Sequence, residues 1–313
     1  MDAAGAWLPR ALGSVERELQ RVAEGLPAPL AAEAEATLKA GGKRLRPLMV
    51  LIAAGDEYTE RSLTAAVAVE LIHMATLVHD DVIDGASVRR GAPTVVARAG
   101  RDRATQVGDA LFARAFGELA RADAVAELSD LAGASVALAR GELDQREAAY
   151  DTSLSEAVYL ERCRLKTASL FEAACAAGAR STRPEAVDAL ARFGADVGLA
   201  FQLLDDVLDV RGPVERTGKA RGTDLLDGTV TLPLILARER DEGLATVDLA
   251  DLDQARAAEL CDRIEATGAL GDVTSRAEEI VEGARAAVAA APIEAQTREL
   301  LDLVAEGMID RYS

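Results

Sequence analysis

Two runs of the same form, Asp80-Asp81-Val82-Ile83-Asp84 and Asp205-Asp206-Val207-Leu208-Asp209, each close a long apolar stretch. In an α-helix the first and fifth residues of such a run share a face, so each run can present paired carboxylates to a hard cation. Leu77-Val78 precede one run and Phe201-Gln202-Leu203-Leu204 the other, and carboxylates in such apolar surroundings are costly unless cations meet them. A lone D-D-x-x-D on a solvated face is common. A pair of them calls for two helices that face each other across shared metal. Mg2+ held by one or two carboxylates completes its octahedron with waters and phosphate oxygens, so the pair points to a diphosphate substrate.

The rest of the sequence supplies helices to carry these runs. Apolar residues recur at three- and four-residue spacing almost throughout, and the alternating β-branched runs of strands are absent, which predicts an all-α bundle. Helices are expected over 8–24, 30–40, 45–57, 60–84, 102–121, 123–149, 153–179, 184–210, 230–242, 252–267, 271–290 and 293–312, with Gly and Pro at most breaks. No connection is long or polar enough for an interdomain linker, so residues 1–313 are expected to form one domain. The connection 211–228 follows the second run directly and is placed to fold over a bound phosphate. Its Gly212-to-Lys219 segment departs from a P-loop in spacing and in having Ala220 where Ser or Thr is required.

A formal net charge of -18 argues against nucleic acid and would also repel a diphosphate. Beyond a Debye length of about 8 Å that repulsion is screened, so capture depends on bound metal and local cations. Only four lysines stand beside 31 arginines, and Lys43, Lys166 and Lys219 all sit in motif-like contexts. Lys43 and Arg46 are three apart at a helix start, where they can point the same way at an anion. Arg89 and Arg90 follow the first run closely, and as neighbours they diverge toward different phosphates. His73 lies two turns before Asp80 and shares its face. Three widely spaced cysteines, Cys163, Cys175 and Cys261, argue against a disulfide framework and a zinc site and fit a reducing cytosol. With no basic n-region and no uncharged apolar run of roughly 18 residues, a soluble cytoplasmic protein is expected.

Gly41-Gly42-Lys43-Arg44-Leu45-Arg46-Pro47, His79-Asp80-Asp81-Val82-Ile83-Asp84, Arg89-Arg90-Gly91, Gly108-Asp109, Gly141-Glu142, Lys166-Thr167-Ala168 and Phe201-Gln202-Leu203-Leu204-Asp205-Asp206 together resemble the trans-type polyprenyl diphosphate synthases. The resemblance runs nearly end to end. It implies the all-helical isoprenoid synthase fold, a homodimer, and Mg2+-dependent head-to-tail (1'-4) joining of isopentenyl diphosphate to an allylic diphosphate. It further implies that Lys43, Arg46, His73 and Arg90 hold isopentenyl diphosphate, while Arg89, Lys166, Thr167, Gln202 and Lys219 surround the allylic diphosphate. Asp80, Asp84 and Asp205 would bind Mg2+ directly, about three ions per site, with Asp81, Asp206, Asp209 and Asp224 as further ligands or as groups orienting metal waters and lysines. Asp80, Asp84, Asp205, Lys166 and Lys219 would carry the catalysis. One departure is Thr229, before Thr231-Leu232-Pro233, where many relatives have Lys; one allylic phosphate contact is thereby in question.

The growing tail is expected to run beneath Asp80. Thr76, four residues earlier, lies about 6 Å down the axis with Ala75 beside it. Both are small, so the floor passes to Ile72, Met74, Leu111 and Phe112, and a medium- or long-chain product is expected. The alternatives are a short-chain farnesyl or geranylgeranyl diphosphate synthase, a terpene cyclase, against which Lys43, Arg46 and Arg90 argue, and the subunit of a heteromeric synthase.

Overall fold

The computed structural model describes residues 5–212 and 221–310, and the described chain is helical apart from one minimal ribbon. Its residues divide into two compact units. One comprises residues 1–135, 173–191 and 291–301, the other residues 136–172, 192–290 and 302–313.

The first unit holds α1 (Trp7–Glu24), α2 (Ala28–Lys39), α3 (Leu45–Ala54), α4 (Glu60–Asp84), α5 (Val95–Ala99) and α6 (Arg101–Arg121). α4 begins at a reciprocal cap, in which Thr59 accepts from the Ser62 N–H and Ser62 accepts from the Thr59 N–H, and it stops at left-handed Gly85. Ala65, Ala68, Leu71, Ile72 and Ala75 are fully buried, and α6 packs along the helix. By length and composition α4 could cross a membrane, but 67% of its most apolar window is buried inside the protein, which is what a core helix gives.

Between α4 and α5 lies a ribbon the periodicity does not show: β1 (Val88–Arg89) pairs antiparallel with β2 (Ala92–Pro93). The two residues between them, Arg90 (φ 53°) and Gly91 (φ 74°), are both left-handed, the backbone of a two-residue hairpin turn.

α7 (Val125–Glu147) runs from the first unit into the second. The helix expected over 153–179 is divided into α8 (Glu156–Cys163), a π-helical turn at Arg164–Ala168 and α9 (Ser169–Arg180). In the wide turn the Ser169 N–H reaches the Arg164 carbonyl. The neighbours of the turn must come close. A β-carbon at Gly141 would stand 2.7 Å from the Lys166 nitrogen, and one at Gly198 would stand 2.8 Å from the Ala168 Cα. α10 (Val187–Arg211) carries Gly198 and the second aspartate run. The expected 230–242 helix is two pieces, Leu232–Ala237 and Glu242–Ala245, after a short turn of helix at Thr223–Leu226. A 3-10 turn at Pro184–Ala186 leads into α10, and Gln254–Ala266, Ala269–Ala289 and Ala295–Asp310 complete the described helices. Cys163, Cys175 and Cys261 are buried and unbridged.

Candidate active site

Within the first unit, the end of α4 sorts its aspartates by face. Asp81 is 4% exposed and its Oδ1 accepts from Arg89 Nε at 2.7 Å; Asp80 is half-buried and Asp84 exposed. The face that carries Asp80 continues toward the start of the helix through Leu77, Thr76 and His73, all half-exposed, whereas Ile72, Met74, Ala75 and Val78 are buried. Thr76 donates its hydroxyl proton to the His73 carbonyl at 2.8 Å, so it offers this face mainly its methyl group.

Facing the same helix is a cluster of cations. Arg44 caps the start of α3 with a left-handed backbone (φ 49°), a conformation costly for a side-chain-bearing residue. Its guanidinium is tied to Glu16 at 2.5 Å and to buried Glu70 of α4 at 2.8 Å, which fixes the turn between exposed Lys43 and half-buried Arg46; Lys43 therefore precedes the helix and does not share its first turn with Arg46 as the spacing predicts. From the hairpin turn Arg90 donates to the Gly41 carbonyl, while Arg89 reaches Asp81. The two arginines do diverge, through a left-handed turn and not around a helix. Burial and the nearby Arg90 charge lower the Arg46 guanidinium to about 10 against the pull of Glu70. Burial, then Arg46, Arg90, Arg89 and Arg44, hold the His73 imidazole well below its ordinary value, so it is neutral at pH 7. A bound anion would relieve this crowding of positive charge.

His79 sits against α6. Its Nε2 is 3.3 Å from Asp109 Oδ1, its ring centroid is 5.7 Å from that of Phe112, and a β-carbon at Gly108 would be only 2.2 Å from Nε2. Gly108 and Asp109 thus act on the residue next to Asp80, one by leaving room and the other by pairing. Leu111 of the same helix is fully buried.

The second unit builds a polar cleft at the π turn, lined by Lys166, Thr167, Gln202, Asp206, Asp224 and Thr229. Lys166 Nζ lies 2.5 Å from Glu142 Oε2 and 3.2 Å from Gln145 Oε1. Burial pushes the Glu142 carboxyl up, but Lys166 and Arg146 outweigh it and hold it below the usual range. Thr167 donates to Gln202 Oε1 (2.7 Å), and the Gln202 amide donates to Asp206 Oδ1 (2.7 Å). Asp206 Oδ2 accepts from the Tyr159 hydroxyl at 2.6 Å. Asp206 is 2% exposed, and burial raises its carboxyl to about 7 despite those two donors. Asp205 is exposed. The Asp209 carboxylate accepts from the backbone N–H groups of Thr223 and Asp224, both at 3.1 Å, and so fixes the short helix that carries Asp224. Both runs repeat one rule: the second aspartate turns inward and holds a neighbouring polar side chain. Tyr159 and Glu70 were not among the residues expected from sequence; their only signal is a polar group within a buried helical face. Lys219 lies outside the described residues.

Residues 27–263 match the polyprenyl synthetase family. The chain is 42% identical over 265 residues to the heptaprenyl diphosphate synthase component 2 of Geobacillus stearothermophilus, a match covering 83% of each chain. It is 36% identical over 279 residues to a geranyl-diphosphate-specific all-trans-nonaprenyl-diphosphate synthase of Rhodobacter capsulatus, covering 85% of this chain and 84% of that one. Among solved structures, a polyprenyl synthase from Caulobacter crescentus in complex with calcium and isoprenyl diphosphate superposes with a TM-score of 0.91 at 36% identity, covering all of this chain and 98% of the other. Carboxylate runs, a cationic cluster and a lysine-bearing π turn are thus found in a chain that matches these enzymes over most of its length, and it belongs to the polyprenyl synthetase family as an all-α prenyltransferase that makes polyprenyl diphosphates.

Proposed function

We propose that the chain joins isopentenyl diphosphate head to tail to an allylic diphosphate and lengthens it to a medium- or long-chain product. The observation that carries this is the arginine cluster beside α4, where Arg46 and Arg90 are crowded by like charge around a neutral His73. A cyclase ionises one diphosphate and needs no second anion site; an elongating synthase needs two. Lys43, Arg46, His73 and Arg90 hold isopentenyl diphosphate in this reading. Arg89, Lys166, Thr167 and Gln202, with Lys219, surround the allylic diphosphate.

The family uses Mg2+, and the donor set suits it. Among the described residues no three His, Cys, Asp or Glu side chains form a closed metal cage. Mg2+ asks for none, since one or two carboxylates with waters and substrate oxygens complete its shell. Asp80, Asp84 and Asp205 are the direct ligands in this proposal, for about three ions. Asp81, Asp206 and Asp209 stand behind them and orient Arg89, the Tyr159–Gln202–Thr167 chain and the Asp224 turn. Bound Mg2+ supplies Lewis acidity to the diphosphate oxygens and offsets their charge.

Lys166, released from Glu142 to the substrate, and Thr167 stabilise charge on the departing diphosphate as the allylic C1–O bond breaks. Arg46, Arg90 and neutral His73 keep isopentenyl diphosphate with its double bond toward C1, where the new C–C bond forms. The proton lost from C2 passes to the departing diphosphate, so no protein base is required. The growing tail lies along α4 below Asp80, past Thr76 and Ala75 toward Ile72, Met74, Leu111 and Phe112.

A homodimer in the cytoplasm is the assembly proposed, supported by an exposed apolar stripe on α7 formed by Val125, Val136 and Leu143. A heteromeric synthase is the second reading, favoured by the name component 2 of the 42%-identical relative. The test incubates the purified chain alone with Mg2+, labelled isopentenyl diphosphate and geranyl, farnesyl or geranylgeranyl diphosphate, and sizes the dephosphorylated products. Linear products are expected. Cyclic hydrocarbon formed without isopentenyl diphosphate overturns the proposal in favour of a cyclase, and turnover only on adding a second subunit replaces the homodimer.

A further inference from the structure

We infer that Arg162 is a ligand of the allylic diphosphate, and that it supplies from α8 the positive charge that Thr229 does not. This rests on the function proposed above. Arg162 stands four residues before Lys166 and lines the same cleft. It is 5% exposed, so its charge is held away from water. One edge of the guanidinium is tethered, with Nη2 donating to the Val230 carbonyl at 2.6 Å, and its central carbon lies 5.3 Å from the Tyr159 ring centroid, within cation–π range.

The other edge is unmet. Nη1 is buried and has no hydrogen-bond partner among the described residues. Leaving such a donor unsatisfied is expensive, and a charged one more so. The nearest explanation would make Arg162 the counter-ion of buried Asp206. Asp206 does feel the Arg162 charge, but more weakly than its own burial and its two donors: its oxygens accept from Tyr159 and Gln202, and no ion pair joins it to Arg162 among the described residues. An acceptor from outside the protein completes the guanidinium. A diphosphate beside Lys166 and Thr167 has oxygens to offer, and guanidinium suits phosphate geometry.

The tether also fixes where this charge sits. Val230 follows Thr229, and Thr229 lines the cleft without charge. A cation from α8 held to the Val230 carbonyl occupies the neighbourhood that a long basic side chain at 229 would reach. The cleft then has two fixed cations, Lys166 and Arg162, against the buried carboxyl of Asp206 and that of Asp224.

The test compares wild type with Arg162→Gln, reading KM for the allylic substrate and for isopentenyl diphosphate separately. Calorimetric binding of inorganic diphosphate with Mg2+ is measured on the same proteins. Loss of one charged hydrogen bond is expected to raise the allylic KM about tenfold to hundredfold, with the isopentenyl KM unchanged. Adding Thr229→Lys to Arg162→Gln is expected to restore the allylic KM, which repair of folding alone would not do selectively. Equal rises in both KM values, an unchanged allylic KM, or no rescue by Thr229→Lys each overturn the inference while leaving the synthase reading intact. If wild type makes no linear product even with a second subunit added, that reading fails, and the diphosphate titration still decides: the same Kd for wild type and Arg162→Gln removes Arg162. Should Arg162→Gln not fold, Arg162→Lys, which keeps the charge but has fewer donors, is expected to raise the allylic KM about threefold to tenfold with the isopentenyl KM unchanged; an unchanged allylic KM or equal rises in both overturn the inference.

Discussion

Arg89 Nε lies 2.7 Å from Asp81 Oδ1, so two residues of adjoining motifs are committed to each other and only the flanking aspartates of the run remain on the half-open face of α4. Aspartates of one run therefore differ in what their loss should do. Asp80→Ala or Asp205→Ala is expected to lower kcat about 10²-fold or more. Asp81→Asn, which keeps shape and a weaker hold on Arg89, is expected to raise a substrate KM more than it lowers kcat. Steady-state kinetics on purified variants checks both, and near-normal turnover of Asp80→Ala would sink the metal assignment.

The neutral His73 links the site to acid stability. Its folded pKa is depressed below 6.5, so the unfolded chain binds a proton that the folded one refuses. Stability from this source is present above about pH 6.5 and is lost as pH falls toward the folded value. His73→Gln is expected to flatten the loss of urea stability between pH 7.5 and 5.5. An equally steep loss in the variant would show that other groups carry it.

Ala75 is fully buried and sits on α4 just over one turn before Asp80. Ala75→Phe is expected to shorten the main product, measured by sizing dephosphorylated chains from matched reactions. An unchanged distribution in an active variant would remove Ala75 from the floor of the tunnel.

Two glycines of helix interiors should respond with opposite signs to the same change. A β-carbon at Gly178 would lie 2.2 Å from the Val50 carbonyl oxygen, whereas at Gly283 it would meet nothing within 4 Å. Gly178→Ala is expected to destabilise by about 1–3 kcal/mol and Gly283→Ala to stabilise by up to about 1 kcal/mol. Chemical denaturation of each variant reads the difference.

Much of this was legible beforehand. The 60–84 helix is found between those same residues because its cap, its apolar periodicity and its terminal glycine agree. Periodicity cannot register a ribbon of two-residue strands, so the turn that splays Arg89 from Arg90 was visible only as a glycine signal. The π turn was hidden for another reason. Lys166 and Thr167 lie in good helical sequence, and the extra residue in the turn is tied to close approach by Gly141 and Gly198, far off in the chain. The inward aspartates were half legible: a residue one position from Asp80 or Asp205 is rotated by about 100°, but the sequence does not say that Arg89 or Tyr159 waits there.

α4 places Glu70 against Arg44, His73 among the arginines, Ala75 in the packed interior and Asp80 and Asp84 at its end. All are fixed to one another by a single screw axis, at 1.5 Å and about 100° per residue. Adding or removing one residue between Glu70 and Asp80 would swing the carboxylates about a quarter-turn away from the arginines, whichever residue was involved. A one-residue insertion or deletion within this helix is therefore more damaging than most single substitutions along it, whereas the same change in the flanking loops leaves the spacing intact.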